Sequence, residues 1–428
     1  MAASATRQVV EVCLGAQAVP VGSLTYALQG RREYSAFSYD GGWLSRPDGF
    51  NVSADLQFLP GYQPHKAATE RDSVFFGALA DTEPDTWGRR VIARAHAKRR
   101  AQDASLGPLT EIDHLLAVDD FSRVGALRLR VAGGSFRDTA AEGRRRTPPL
   151  LELAKIIRAS QLVEAGQETA EDLRYLQGKG TSLGGMRPKC TLIDRDGGLA
   201  IGKFPSVGDQ REVTRAEVLA LRLARLAGVD AAQARLELVG ESPVAIIRRF
   251  DRTADGGRIP YQSAASWLAA PRDDERSYGE IADALRAHGQ VPVEDCRQLW
   301  RRLALNLLIT NVDDHLLNMG FLHVANGQWR LAPAFDLNPF PDKAAESKTW
   351  LTEEDGPVSD VGMLLGRAAL FDLTADMARL ALGQVVAAVG QWRTVALSRK
   401  VGLTPADLDE LTPAFDHNRL REAVAAIG

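Results

Sequence analysis

One stretch constrains this chain more than any other: Leu303 to Pro339, LALNLLITNVDDHLLNMGFLHVANGQWRLAPAFDLNP. Inside it, Asn326-Gly327 separates two apolar-rich runs, 320–324 and 328–332. Asn-Gly between such runs is a strong hairpin signal, because a tight return turn needs φ > 0 at its centre. A hairpin brings the chain back to where it began. Asn318, just before it, and Asp336, just after it, are therefore expected close together, with Asp313 one short loop upstream. The preceding segment, 298–310, carries Leu299, Trp300, Leu303, Ala304, Leu307 and Leu308 at helical spacing. This predicts a core-facing helix that delivers the chain into the Asp313 loop. Carboxylates and amides gathered in this way suit a magnesium ion holding nucleotide phosphates. A further carboxylate can accept the proton of an attacking hydroxyl.

The chain has 428 residues, enough for two or three domains with their own cores. Its formal net charge of −3 gives no case for direct binding of nucleic acid. Cys13, Cys190 and Cys296 are far apart and form neither a metal-ligand spacing nor a disulfide framework, which fits a reducing compartment. No window approaches a membrane span and the first residues lack a signal-peptide core, so the expectation is a cytoplasmic protein without membrane contact. Three parts are expected, 1–147, 148–252 and 253–428. Turn-rich segments at 133–149 and 253–261 separate them. The first part reads as short strands, including FSYDGGWL and 121–130, around a helical segment near 72–100 with Asp85 as a possible N-cap. The last part is mainly helical apart from the hairpin.

A second constellation is GKGTSLGGMRPKCTLIDRDGGLAIGKFPS, residues 178–206. Gly184-Gly185 can expose backbone N–H groups to anions. The chain then enters a strand, turns at Asp196-Gly197-Gly198 and returns through Leu199 to Lys203. Side chains alternate along a strand, so Lys203 shares a face with Leu199 and Ile201. An unpaired charge on an apolar face is costly. A bound phosphate would justify it, with Glu217 on the next helix steadying the lysine. In VAIIRRFDR (244–252), Asp251 could hold ribose hydroxyls or simply pair with Arg252 or Arg249 at the surface. His315 is expected to brace its loop by hydrogen bonding.

These motifs together resemble the HipA-like serine/threonine kinases, the toxin half of HipBA-type toxin–antitoxin modules. The resemblance runs through DSVFFGALADTEPDTWGRR and FSRVGALRL, the phosphate-loop segment TSLGGMRPKCTL, AIGKF, RRFDR, NVDDHLLN and LAPAFDLNP. It implies an α+β, two-lobed kinase-like fold with an N-terminal β-rich subdomain and a mainly helical C-terminal lobe. It implies ATP and Mg²⁺ as cofactors. Asp313 would be the catalytic base, and Asn318 and Asp336 the metal ligands. Ser182, Gly184, Gly185, Lys189 and Lys203 would meet ATP phosphates, Phe250 would lend backbone to adenine, and Asp251 would hold ribose. Ser182 would also be the site of inhibitory autophosphorylation. His315 and Glu217 would be supporting residues, Glu217 on the reading of the residues alone, since it has no firm family counterpart.

The implied partners are a protein substrate, aminoacyl-tRNA synthetases being among the family's targets, and a small helix-turn-helix antitoxin that contacts operator DNA. The chain departs from the best-studied toxin at Asp314 for glycine, Leu317 for lysine and Arg248 for glutamate, which leaves the substrate open. A phosphotransferase acting on a small molecule, or a non-catalytic scaffold co-repressing with an antitoxin, are the alternatives.

Overall fold

The computed structural model describes residues 6–137, 152–176, 187–271, 274–344 and 346–428. The chain divides into two compact units. One is Met1–Gly202 with Asp251–Arg272 and Ala325–Gly327; the other is Lys203–Phe250, Asp273–Val324 and Gln328–Gly428. Both are mixed α and β. Among the described residues no helix is long and apolar enough to cross a membrane.

The first unit is built on a five-stranded antiparallel sheet. Its strands are β1 (Thr6–Leu14), β2 (Val19–Gln29), β3 (Arg32–Tyr39), β4 (Gln63–His65) and β5 (Leu127–Val131), in the order β4-β3-β2-β1-β5. Val10, Leu24 and Phe37 fall in one cross-strand row and are fully buried. That row is the apolar face that period-2 alternation selects. Helical segments α1 (Gly41–Leu44), α2 (Gly77–Ala80), α3 (Thr86–Gln102) and α4 (Glu111–Ala117) lie between β3 and β5 in the chain.

The strand expected across FSYDGGWL therefore ends at Tyr39, and Gly41–Leu44 is helical because Asp40 caps it through Gly42 N at 2.8 Å. The helix expected near 72–100 is broken at 81–85, and Asp85 does cap α3, its carboxylate accepting from Gly88 N at 2.6 Å. The strand expected from 121 begins only at Leu127. Arg123 turns inward instead and is 1% exposed, donating to Thr82, Leu115 and Val118 carbonyls at 3.0–3.1 Å. A buried guanidinium needs several acceptors, and a loop can wrap to supply them where a strand cannot.

After α5 (Leu153–Ala165) and α6 (Ala170–Leu176) come the neighbouring strands β6 (Lys189–Ile193) and β7 (Leu199–Lys203). Their turn closes through Asp194 N to Gly198 O at 2.8 Å, with Gly197 at φ +83. This is the return predicted from Asp196-Gly197-Gly198. The short strand β10 (Tyr261–Ser263) and helical turn α8 (Ala264–Trp267) complete this unit.

In the second unit, α7 (Val213–Leu226) packs against the antiparallel pair β8 (Ala234–Val239) and β9 (Ser242–Arg248). Helix α9 (Tyr278–His288) precedes α10 (Pro292–Leu308), whose buried face holds Cys296, Leu299, Trp300, Leu303, Ala304, Leu307 and Leu308. This is the predicted stripe. The hairpin β11 (Gly320–Ala325) and β12 (Gln328–Leu331) turns at Asn326 (φ +52) and Gly327 (φ +71). Two successive positive φ values define the turn that Asn-Gly favours. Helices α11 (Val361–Gly366), α12 (Ala375–Val389), α13 (Trp392–Leu397), α14 (Pro405–Phe415) and α15 (Asn418–Ile427) finish the chain. The mainly helical reading of this region holds.

Candidate active site

The candidate site lies within the second unit, where α10 ends. Asn311 N reaches back to Asn306 O at 2.8 Å, which closes the helix end around Thr310. Thr310 has φ +52, an unusual backbone for a β-branched residue. It is held there from the C-terminal helices: its hydroxyl donates to Ala414 O at 3.0 Å and accepts from Arg419 Nη2 at 3.1 Å. The chain is thereby turned out of the helix three residues before Asp313.

The same turn receives the strand that leaves the hairpin. Phe340 N bonds Thr310 O at 3.1 Å and Asn338 N bonds Asn311 Oδ1 at 3.2 Å. Ala332 N bonds Gly320 O at 2.8 Å, and Ala334 forms a parallel bridge with Ala231. Asp336 follows at φ +54. Such strain in a residue other than glycine persists only where the surroundings enforce it, and it clusters at functional sites.

On these supports the side chains meet as follows. Lys203 Nζ lies 2.6 Å from Glu217 Oε1 and 2.7 Å from Asp336 Oδ1. Burial pushes the Lys203 ammonium down, but the adjacent Asp336 and Glu217 carboxylates outweigh it and hold the amine above its ordinary range. It is a permanent cation with one half-buried carboxylate facing the site. Asn318, at the end of the short helical turn Leu316–Asn318, donates from Nδ2 to Asp313 O at 2.8 Å. That bond fixes the amide and leaves Oδ1 available as a ligand atom. Asp313 carries its carboxylate half-exposed, 3.9 Å from His315 Nε2 and in contact with Lys348. Burial pushes the His315 imidazole down, against the opposing pull of the Asp313 and Asp336 carboxylates. The brace expected of His315 comes from its backbone, whose carbonyl accepts from Asn318 N at 2.8 Å, while ring Nδ1 is buried without a hydrogen bond.

The remaining expected site residues have these surroundings. Ser182, Gly184 and Gly185 lie outside the described residues. Lys189 is buried against Asp85, 2.8 Å away, with both side chains at most 2% exposed. Asp251 is buried rather than at the surface. Its Oδ2 accepts from Gly125 N at 2.7 Å and from Arg252 Nη1 at 2.8 Å, one of the two pairings left open by the sequence. Phe250 stacks at a tilt on Phe335, with ring centroids 5.6 Å apart, next to Asp336 in sequence.

Asn338, Lys348 and Tyr278 were not foreseen, nor was the anchoring part that Asp314 plays. Asn338 donates to Asp336 Oδ1 at 3.2 Å, and its own Oδ1 is buried with no hydrogen-bond partner. Asp314 anchors the segment that brings Lys348 to Asp313. Tyr278 in turn donates to Asp314 Oδ2 at 2.6 Å. Asn338 could have been found from its place two residues after Asp336. No sequence signal marks Lys348, 35 residues beyond Asp313.

Magnesium takes oxygen ligands, typically one or two carboxylates completed by phosphates and water. Asp336, Asn318 Oδ1 and the partnerless Asn338 Oδ1 are an all-oxygen set of that kind, so the residues fit the ion.

Residues 181–393 match the HipA-like C-terminal domain, so the chain is a HipA-like, kinase-fold protein. The solved HipA from the toxin–antitoxin system of Shewanella oneidensis MR-1, in complex with HipB and operator DNA, shares the fold. It has a TM-score of 0.62 and 16% identity, covering 98% of this chain and 96% of that one. Y4mE of Sinorhizobium fredii is 25% identical over 343 residues, 72% of this chain and 73% of its own length. A Haemophilus influenzae relative is 26% identical over 193 residues, 38% of this chain and 55% of its own length. Both bear provisional kinase names.

Proposed function

We propose that this chain is a Mg²⁺- and ATP-dependent kinase that phosphorylates serine or threonine hydroxyls of a protein. The observation that carries this reading is Lys203, clamped between Glu217 and Asp336 in the same unit as Asp313 and Asn318. A cation fixed by a glutamate beside a metal-ligating aspartate is the arrangement phosphoryl transfer uses. Lys203 binds ATP phosphate oxygens. Asp336, Asn318 and Asn338 hold Mg²⁺, which when bound neutralises charge on the phosphates. Asp313 orients the acceptor hydroxyl and takes its proton. A bond forms from that oxygen to Pγ, the bond from Pγ to the β,γ-bridging oxygen breaks, and ADP leaves with the electron pair. Positioning and charge neutralisation supply the rate.

In this reading residues 148–252 carry the phosphate loop and lysine, and 253–428 the catalytic and metal segments. Phe250 lends its backbone to adenine. Lys189 and Asp251, both committed to buried ion pairs, anchor their segments instead of touching nucleotide. The Shewanella structure, solved with HipB and DNA, supports a toxin role with a small helix-turn-helix antitoxin as cytoplasmic partner. Phosphate on Ser182 would add about two negative charges to a loop meant to receive ATP, and so silence the enzyme.

The test is intact mass after incubation with Mg·ATP. One added phosphate on the wild type, and none on Asp313→Ala or Ser182→Ala, is the expected result. No added phosphate on any of the three after phosphatase treatment, together with no ATP binding, would replace this reading with a non-catalytic scaffold.

A further inference from the structure

The catalytic segment brings no lysine or arginine of its own to Asp313. The residues that follow it are Asp314, His315, Leu316 and Leu317, the last of which is exposed. The cation arrives from a distant segment. Lys348 places its ammonium on Asp313 Oδ1. Its backbone is fixed there with unusual thoroughness for a residue in irregular structure. Lys348 N donates to Asp314 Oδ1 at 2.6 Å and Thr349 Oγ1 donates to Asp314 O at 2.7 Å. Ser347 Oγ donates to Thr349 O at 2.6 Å and accepts from Val358 N at 2.7 Å. Asp314 is itself buried and receives the Tyr278 hydroxyl from α9. A buried carboxylate is therefore devoted to docking the backbone on either side of Lys348, while the lysine side chain stays 53% exposed. An ion pair this exposed is weak. The anchor is rigid and the ammonium is free to swing.

We propose that Lys348 is a catalytic cation of this site. Its ammonium rests on Asp313 in the empty enzyme and passes to an oxygen of the γ-phosphoryl group during transfer. This rests on the kinase reading above and adds a residue to it. The acceptor oxygen bonds to Pγ, its proton goes to Asp313, the bond from Pγ to the bridging oxygen breaks, and Lys348 keeps all its protons throughout. Its part is to neutralise the equatorial oxygens, where charge is greatest in the transition state. Leaving Asp313 also frees that carboxylate to take the acceptor's proton.

The test compares wild type, Lys348→Ala, Lys348→Arg and Asp313→Ala by ADP release at saturating Mg·ATP and by binding of Mg·ADP with and without aluminium fluoride, a mimic of the phosphoryl in flight. Lys348→Ala is expected to slow ADP release by about 10²-fold, the scale of one lost transition-state donor. Its affinity for Mg·ADP alone should stay within about threefold of wild type while the gain from aluminium fluoride is lost, because only the transition state is affected. Lys348→Arg should recover part of both. Asp313→Ala should lose turnover yet keep the aluminium fluoride gain. A Lys348→Ala enzyme with unchanged or faster turnover and an intact aluminium fluoride gain would overturn the inference and leave the kinase reading standing. A wild type that binds Mg·ADP but neither releases ADP from ATP nor gains from aluminium fluoride would overturn both.

Discussion

Asp314 ionises against its surroundings. Burial pushes its carboxyl up to about 6, only partly offset by hydrogen bonds from Tyr278, Lys348 and Thr349. In the unfolded chain an aspartate titrates near 3.9, roughly two units lower. Between these values the folded state binds more protons than the unfolded one. Stability from this group is therefore greatest below about pH 4, falls as pH rises to about 6 and is flat above. Two units correspond to about 3 kcal/mol. Asp314→Asn removes the titration while keeping a polar group of the same shape. Urea unfolding at pH 4, 5, 6 and 7 should show the wild type losing about 2–3 kcal/mol relative to Asp314→Asn across that range. A constant difference between the two proteins would mean that the carboxyl is not perturbed.

The same residue marks the limit of legibility at this scale. Asp313, Asn318 and Asp336 are proposed from the sequence because a hairpin brings its two flanks together by local rules, and the hairpin itself is found. Lys203 and Glu217 could be read because a lysine on an apolar strand face demands partners. Asp314 and Lys348 could not, since a backbone-docking contact over 34 residues leaves no periodicity or spacing behind. Lys189 and Asp251 read as ligand groups, yet each found a buried partner, Asp85 and Arg252. Sequence announces a charge; only packing says what neutralises it.

At the scale of elements, the hairpin β11–β12 was the most legible piece, expected at 320–324 and 328–332 and found at Gly320–Ala325 and Gln328–Leu331. Its turn carries the information. Gly327 sits at φ +71, where a side chain costs about 1 kcal/mol or more, whereas Asn at 326 already tolerates its left-handed backbone. Gly327→Ala should therefore destabilise the protein by about 1–2 kcal/mol in denaturant titration, and Asn326→Gly should change it by no more than about 0.5 kcal/mol. Equal effects at the two positions would contradict the turn assignment. The failed strand at 121–126 shows the opposite case. FSRVGA alternates on paper, but the acceptors around Arg123 override the pattern, a tertiary effect that period-2 reading cannot see.

At the scale of the whole molecule, the α+β class and its HipA-like fold follow from motifs in order along the chain, each built by local rules. Thr310, locked by α14 and α15, ties the last helices of the chain to the segment carrying Asp313 and, through Phe340, to the one carrying Asp336. A ligand that engages both segments stabilises only the folded arrangement, and so reports on the assembled site. At a hundred times its Kd such a ligand contributes about 2.7 kcal/mol. For a domain of ordinary size this raises Tm by roughly 5–10 °C, at about 2–4 °C per kcal/mol. Mg·ATP should produce that shift in the wild type, and ATP with EDTA should produce a much smaller one. Asp336→Asn should lose the magnesium-dependent part, because it removes both a proposed metal ligand and a partner of Lys203. Asp313→Ala should keep it, because the role proposed for Asp313 is toward the acceptor hydroxyl and not the ion. If Asp336→Asn kept the full magnesium-dependent shift while Asp313→Ala lost it, the roles of the two aspartates would be exchanged, and the path of the proton would have to be redrawn around Asp336.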